Sequence, residues 1–375
     1  MILPRMRLAQ CFVALLSTFF CVSANASDWS ILHLQGRDYV TFSNVAQFYQ
    51  FPDYARVNRT VSLRNERRAI RAQAGTSDLY INGVRFFTDF PLLGSADDDL
   101  ISAMDISKII EPVLRPHRIH GAHNVETVVL DPGHGGMDGG ATNQWGSEKA
   151  FALDVALAAR EELLRQGFKV EMTRLSDKAV SLENRVAFAN SFADAVFVSI
   201  HFNSSSGGAG IESYSLAPAD VASNASDETH PSVTDTQWAA GNAQDPQNIA
   251  VTAAVHASVL SRVAAFDRGI RHARFHVLRG IRVPAVLLEA GFLSDPAEGQ
   301  RIATAQYRQQ LGVAIAQGIQ NYNAAVNFKS NGGSFAVAKT TLPPHDRSIT
   351  EPLAPDAPSA QLSSEEPSVS VSAGD

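Results

Sequence analysis

Between residues 125 and about 323 the apolar positions alternate between unbroken runs and a three-and-four spacing, which predicts strands separated by helices. "TVVLD" is a short apolar strand. From Glu148, "EKAFALDVALAAREELLRQG" sets Ala152, Val155, Ala156, Ala159 and Leu163 on one helical stripe, and Gly167 is placed to stop it. A strand over "FKVEMT" and a helix opened by Ser181 in "SLENRVAFANSF" follow. "AVFVSI" then predicts a buried strand ending just before His201, and "IESYSL" another. After a polar loop come a helix over "NIAVTAAVHASVLSRV", a strand "AVLLEA" and a last helix near "YRQQLGVAIAQGIQNY". Alternation of this kind predicts an α/β fold, a mostly parallel sheet covered by helices on both faces.

Residues 27–118 follow a different pattern. "ILHLQGRDYVTF" and "DLYINGVRFFTDF" each run alternating apolar residues into a Gly-x-x-aromatic turn and on into more strand, which predicts hairpins. Helix-like stretches, "SNVAQFYQF" and "DLISAMDISKIIEPVL", come after them, so a small β-rich α+β domain with a twofold internal repeat is expected. Pro112, Pro116 and "RPHRIHGAHN" read as a connection, with the linker proper at 119–124 and the main domain at 125–323. Residues 324–375 are dominated by Pro, Ser, Ala and acids and predict a disordered tail.

The first 26 residues change the picture of where the protein works. Arg5 and Arg7 precede an apolar run from Leu8 to Val22, and Ala24-Asn25-Ala26 ends it. That is the make-up of a secretory signal peptide cut after Ala26. The run is short for a membrane anchor and no basic stop-transfer cluster follows. Export to the periplasm or the extracellular cell wall is expected, with no membrane attachment after cleavage. Cys11 and Cys21 are the two cysteines, both inside this segment, so the mature chain would have no disulfide and no thiolate metal site. Phe20 before Cys21 argues against a lipoprotein, which wants a small residue there. Losing two arginines takes 31 basic residues to 29 against 38 acids, moving the net charge from −7 to −9, which argues against a nucleic-acid partner.

Candidate chemistry concentrates in "VVLDPGHGGMDGG", Val128 to Gly140. A phosphate cradle needs a third glycine where Asp138 stands, or a Lys-Ser/Thr pair that is missing, so that reading fails. A metal site fares better. His134 follows "LDPG", Glu148 opens the first helix and His201 follows "VFVSI". Two imidazoles and a carboxylate are a common ligand set for catalytic zinc and leave a fourth position open. The plain alternative keeps Glu148 as a first-turn acid and the histidines as ordinary strand-end residues. Ligands of such sheets collect at the carboxyl ends of strands, which singles out His134, His201 and Glu289. In "VPAVLLEAGFLSD", Glu289 either closes a metal shell, acts as a general base, or pairs in a buried salt bridge with Arg174, Arg185 or Arg268.

At this point residues 126–323 resemble the zinc-dependent N-acetylmuramoyl-L-alanine amidases, cell-wall hydrolases related to the bacterial cell-division amidases. The likeness is carried in order by "LDPGHGGMDGGA", "SEKAFALDVA", "MTRLSDKAVSLENRVAFAN", "VSIHFNS", "GIESYSL", "RGIRHARFHVLRGIRVPAVLLEAGFLSD" and "YRQQLGVAIAQGI". It implies a twisted mixed sheet of about six strands. It implies that His134, Glu148 and His201 bind Zn2+ and that Glu289 is the catalytic acid/base. The reaction implied is hydrolysis, by zinc-activated water, of the amide joining N-acetylmuramic acid to the L-alanine of the peptidoglycan stem peptide. Peptidoglycan is then the substrate, and the resemblance leaves room for an activating protein partner. Phe202 and Asp295 depart from common family residues without removing a ligand, and His272 and His276 match no ligand.

Two alternatives stand beside this reading: a catalytically inactive zinc-containing wall-binding module, and a zinc peptidase acting within the stem peptide. The loop over 217–248 is polar, with Trp238 and little helical periodicity, and is expected to be a mobile lid or substrate loop. Residues 27–118 resemble the small module named for the N-terminal part of copper amine oxidases. No metal site is evident there, and a structural or docking role is expected.

Overall fold

Short polar turns and alternating strands build the N-terminal part. β1 (Leu32–Leu34) and β2 (Arg37–Thr41) pair antiparallel around Gln35 and Gly36, both at positive φ. α1 (Phe42–Tyr49) follows directly, its first turn capped by the Thr41 hydroxyl, which accepts from the Asn44 N–H. β3 (Asp53–Val57), β4 (Thr60–Arg64), β5 (Ala69–Gln73), β6 (Asp78–Ile81) and β7 (Val84–Phe87) then form an antiparallel meander. β8 (Leu100–Ser102) returns to pair with β2, and a helical run begins with α2 (Ala103–Asp105) and ends with α3 (Glu111–Leu114). The two hairpins therefore enter different sheets. This is a computed structural model, and it describes residues 29–224 and 236–328. The expected signal peptide, the centre of the 217–248 loop and nearly all of the expected tail lie outside the described residues.

The second part lays down β9 (Thr127–Pro132), a short hairpin of β10 (Thr142–Asn143) and β11 (Gly146–Ser147), α4 (Glu148–Arg165), β12 (Lys169–Met172) and α5 (Leu182–Ala189). β13 (Ala195–Asn203), β14 (Ile211–Leu216), α6 (Asp245–Arg262), β15 (Asp267–Ala273), α7 (His276–Gly280), β16 (Ala285–Phe292), α8 (Pro296–Ile302) and α9 (Ala305–Val326) complete it. Its six main strands lie in the order β12-β9-β13-β16-β14-β15, and β14 runs antiparallel to β16 while the other neighbouring pairs are parallel. That is the mixed six-stranded sheet the resemblance implies. α4, α6 and α9 cover one face through Ala152, Val155, Val255, Leu311 and Ile315, and α5 and α7 cover the other through Ala189, Val277 and Leu278.

Three details differ from the expectation. β13 runs on to Asn203, so His201 lies within the strand. α6 starts at Asp245, three residues early, because a 3-10 turn over Ala240–Gln244 leads into it. β15, "DRGIRHA", is a strand that the apolar pattern does not announce, because its polar side chains break the pattern and are satisfied by specific partners.

Beyond β15 the sheet continues into the N-terminal meander, giving eleven strands that end β15-β7-β6-β5-β4-β3. Ile270 opposite Phe86 makes this join, the Arg85 N–H donates to Asp267 Oδ2 at 2.9 Å, and Ile249 and Ile270 share an apolar cluster with Val45, Leu79 and Phe86. Polar groups are buried along the same seam. His272 Nδ1 lies 2.5 Å from Asp89 Oδ1, and the Asp89 N–H donates to Asp105 Oδ1 at 2.6 Å.

Burial, with the Asp89 charge added, pushes the Asp105 carboxyl up to about 7. Burial works against a charged His272, yet Asp89 and Asp105 hold its pKa above the ordinary value. Both folded-state pKa values are raised. Their contribution to stability is therefore fully present below the unfolded values and lost as pH rises, for Asp105 through about 7. Asp105→Asn mimics the protonated acid, so its melting temperature should fall less between pH 5 and pH 8 than wild type, by about a few degrees. Parallel pH profiles for the two proteins would remove Asp105 from this account.

Candidate metal and hydrolytic site

The site is built at one edge of the sheet by a tight loop, a helix start and two strands. β9 ends at Pro132, and the chain turns with His134 at φ 59° and Gly135 and Gly136 also at positive φ. The turn thus falls on the histidine itself, a conformation that costs a non-glycine residue about 1–3 kcal/mol and persists only when neighbours enforce it. Two buried arginines supply that enforcement. Arg185 donates to the carbonyls of Pro132 and His134 at 2.8 and 2.6 Å, and Arg174 to those of Pro132, Gly133 and Lys149 at 3.0, 2.7 and 2.7 Å. Arg174 therefore links the residue before His134 to the residue after Glu148. Asp131 anchors the group, accepting from Arg185 at 2.5 Å, Thr173 at 2.6 Å and Ser199 at 2.9 Å.

His134, Glu148 and His201 converge, with one ligand atom of each within 4.8 Å of the others. Glu148 Oε1 lies 3.0 Å from His134 Nε2 and 2.8 Å from His201 Nδ1. Its carboxylate also accepts from the N–H groups of Ala141 at 2.9 Å and Phe202 at 3.1 Å. This buried glutamate is more than a first-turn acid. Burial opposes its charge, but hydrogen bonds from His134 and His201 outweigh that and hold it well below the usual carboxylate range. The bond to Glu148 in turn raises the His134 pKa, although burial opposes this. Asp138 Oδ2, 2.8 Å from His134 Nδ1, orients the ring so that Nε2 faces the cluster.

Two glycines make room for this convergence. A Cβ at Gly133 would stand 2.3 Å from the His201 ring, and one at Gly140 2.4 Å from Glu148 Oε2. Any side chain there would push a cluster member away. Two imidazoles and an ionised carboxylate in one cluster, with a carboxylate behind one ring, fit a divalent zinc-type ion.

Glu289 lies on β16 directly opposite His201 of β13 in the parallel ladder, at the same edge of the sheet. One strand further, Glu212 of β14 faces it. The ladder shifts by one residue just beyond, between His201 and Asn203, where Gly291 is at φ 134°. Such bulges turn a strand end and re-aim its side chains. Of the three arginines considered for Glu289, Arg174 and Arg185 serve the His134 loop. Arg268 lies 3.6 Å from Glu212 and 4.6 Å over the Phe292 ring.

Other histidines lie apart from the cluster. His272 is in the seam, and His276 is half-exposed, 3.6 Å from Glu183. His256 bridges Ser213 at 2.8 Å and Asp267 at 3.0 Å, a hydrolase-like trio, but His256 and Ser213 are fully buried, so its role is to hold α6 to the sheet. Asp131, the arginine clamp, the orienting role of Asp138 and the Glu212 neighbour were not legible in advance. Asp138, four residues after His134, carried the one usable signal.

A two-histidine, one-carboxylate cluster at a sheet edge, with a glutamate one strand away, defines the class of metal-dependent hydrolases. Residues 128–321 match the family model described as Amidase_3, N-acetylmuramoyl-L-alanine amidase. The chain is 35% identical over 209 residues to the sporulation-specific N-acetylmuramoyl-L-alanine amidase of Bacillus subtilis (strain 168), covering 55% of this chain and 71% of that protein. It is 32% identical over 215 residues to the N-acetylmuramoyl-L-alanine amidase CwlM of Bacillus licheniformis, covering 56% of this chain and 75% of that one. Among solved structures, the catalytic domain of CwlV from Bacillus (Paenibacillus) polymyxa var. colistinus aligns at 32% identity and a TM-score of 0.44, over 53% of this chain and 98% of that domain. The chain belongs to the N-acetylmuramoyl-L-alanine amidase family, in which zinc dependence is general. No helix of the described residues is long and apolar enough to cross a membrane.

Proposed function

We propose that this chain hydrolyses the amide between N-acetylmuramic acid and the L-alanine of the stem peptide, with His134, Glu148 and His201 holding zinc and Glu289 moving the proton. The convergence of those three side chains, with Glu289 beside His201 in the ladder, is the observation that carries the reading. When bound, zinc supplies Lewis acidity that lowers the pKa of water to about 7 and polarises a carbonyl. The chain's own residues do the rest. Asp138 fixes the His134 ring, and the Arg174–Arg185 clamp fixes the loop that carries it. The Glu289 carboxylate takes a proton from the attacking water as the new C–O bond forms. It returns that proton to the amide nitrogen as the C–N bond breaks, releasing L-alanine with a free amino terminus.

Residues 125–323 are the catalytic part on this reading and 27–118 a docking part. Residues 1–26 direct export, since the polymer lies outside the cytoplasm. An activating protein partner is compatible with this scheme. The test is digestion of purified peptidoglycan followed by mass analysis of the fragments. We expect intact glycan strands and new L-alanine amino termini. New amino termini from later stem residues would mean a peptidase, and an undigested polymer with bound protein would mean an inactive module.

A further inference from the structure

We propose that the arginine-bearing face of the N-terminal meander continues the face of the sheet that carries Glu289 and binds carboxylates of stem peptides on the same cell-wall polymer. The proposal rests on peptidoglycan being the substrate. Strand register sets the geometry. His201 faces Glu289, and Glu289 faces Glu212. Arg271, two residues past the Gly269 partner of Glu212, shares that face, and its Nε donates to Glu212 Oε1 at 2.9 Å. Because Ile270 pairs with Phe86, their neighbours Arg271, Arg85 and Phe87 point to the opposite side. The pairs Arg85–Tyr80, Tyr80–Arg71 and Arg71–Ser62 then carry one row across β6, β5 and β4. At about 4.8 Å per strand, Arg71 lies roughly 24 Å along the sheet from Glu289.

The two faces of the meander differ in kind. One buries Val61, Leu63, Ile70, Leu79, Ile81 and Phe86 against α1 and the helical run that follows β8. The other presents Ser62, Arg71, Tyr80, Arg85 and Phe87, all partly exposed. Here guanidinium groups cover the rings: Arg71 over Tyr80 at 4.2 Å, and Arg85 and Arg271 over Phe87 at 4.4 and 3.7 Å. With the ring faces occupied, the row offers N–H edges, which suit carboxylates better than sugar faces.

Arg85 is paired with Asp78 at 2.6 Å, whereas Arg71 has no acidic partner among the described residues. Of the arginines in residues 56–71, Arg64 shares the face of Ser62 and Arg71 by strand alternation, whereas Arg56 pairs with Asp99 and Arg68 lies beside Arg115 and Glu111 on the helical side, so the positive charge of the row rests on Arg64 and Arg71. Stacking on Tyr80 holds the Arg71 guanidinium at little entropic cost to binding.

The test uses the full chain with Arg71→Glu and Arg71→Lys, on insoluble peptidoglycan and on a soluble muramoyl peptide. Charge-assisted hydrogen bonds contribute about 1.5–3 kcal/mol, so Arg71→Glu should lower the rate on the polymer about tenfold or more. We expect the soluble substrate to be cleaved within about twofold of wild type, and Arg71→Lys to be intermediate. Amidating the polymer's carboxyl groups should bring wild type down to the Arg71→Glu rate. An unchanged rate on the polymer, an equal loss on both substrates, or a gap that survives amidation would each overturn the proposal. Cosedimentation with peptidoglycan in the cold reads the same surface without catalysis. Loss of binding in Arg71→Glu supports the platform even if wild type releases no L-alanine termini, a result that would count against the hydrolytic reading alone.

Discussion

Glu289→Gln is expected to give a folded, zinc-loaded protein whose turnover is at least about a hundredfold below wild type. The amide keeps the size and most of the hydrogen bonding of the carboxylate but cannot accept a proton from the attacking water. General acid–base groups contribute about 10²- to 10⁴-fold, and here one group serves both halves of the reaction. Its place beside His201 in the β13–β16 ladder puts it at the edge where His134, Glu148 and His201 converge without making it one of those three. Zinc content and substrate binding should therefore hold while turnover collapses. A structural role predicts the opposite signature, a lower melting temperature with normal activity per folded molecule. Zinc content, thermal midpoint and turnover measured on one preparation separate the two, and near-normal turnover would take Glu289 out of the mechanism.

His134→Ala and His201→Ala should each lose bound zinc, from about one ion per chain to a small fraction, because two protein ligands rarely hold catalytic zinc tightly. Each substitution also removes a partner of Glu148, a buried residue whose carboxylate is kept ionised largely by these two rings. Zinc added to the wild-type protein should raise its melting temperature, and the variants should show little of that shift. Metal analysis is the deciding measurement. Full zinc in both variants would mean that these residues are not the ligands, whatever happens to activity.

The alternation of strand and helix over residues 125–323, and the sheet it implies, were legible because each element carries its own period and stop. Gly167, at φ 91°, stands two residues after α4 ends, and the Ser181 hydroxyl accepts the Asn184 N–H where α5 begins. Two of the three converging side chains were legible for a related reason. His134 and His201 follow apolar strands, and the rule on strand ends brings such residues to one side of the sheet, whereas Glu148 opens a helix and joined them as a ligand through the family resemblance.

What local pattern left open are relations between segments distant in the chain. The left-handed turn at His134 depends on Arg174 and Arg185, some 40 to 50 residues later, whose guanidinium groups bond backbone carbonyls and so leave no side-chain pattern to read. The Asp89–His272 contact joins residues 183 apart, and Phe86 meets Ile270 across a similar span. Composition and periodicity determined which segments become strands and helices, because those choices are settled within a few neighbouring residues. Only the tertiary structure decided that β7 extends the main sheet beyond β15, and hence that the arginine row of the meander shares a face with Glu289. Strand pairing fixes register between segments that periodicity treats as independent, and register alone assigns a side chain to one face or the other.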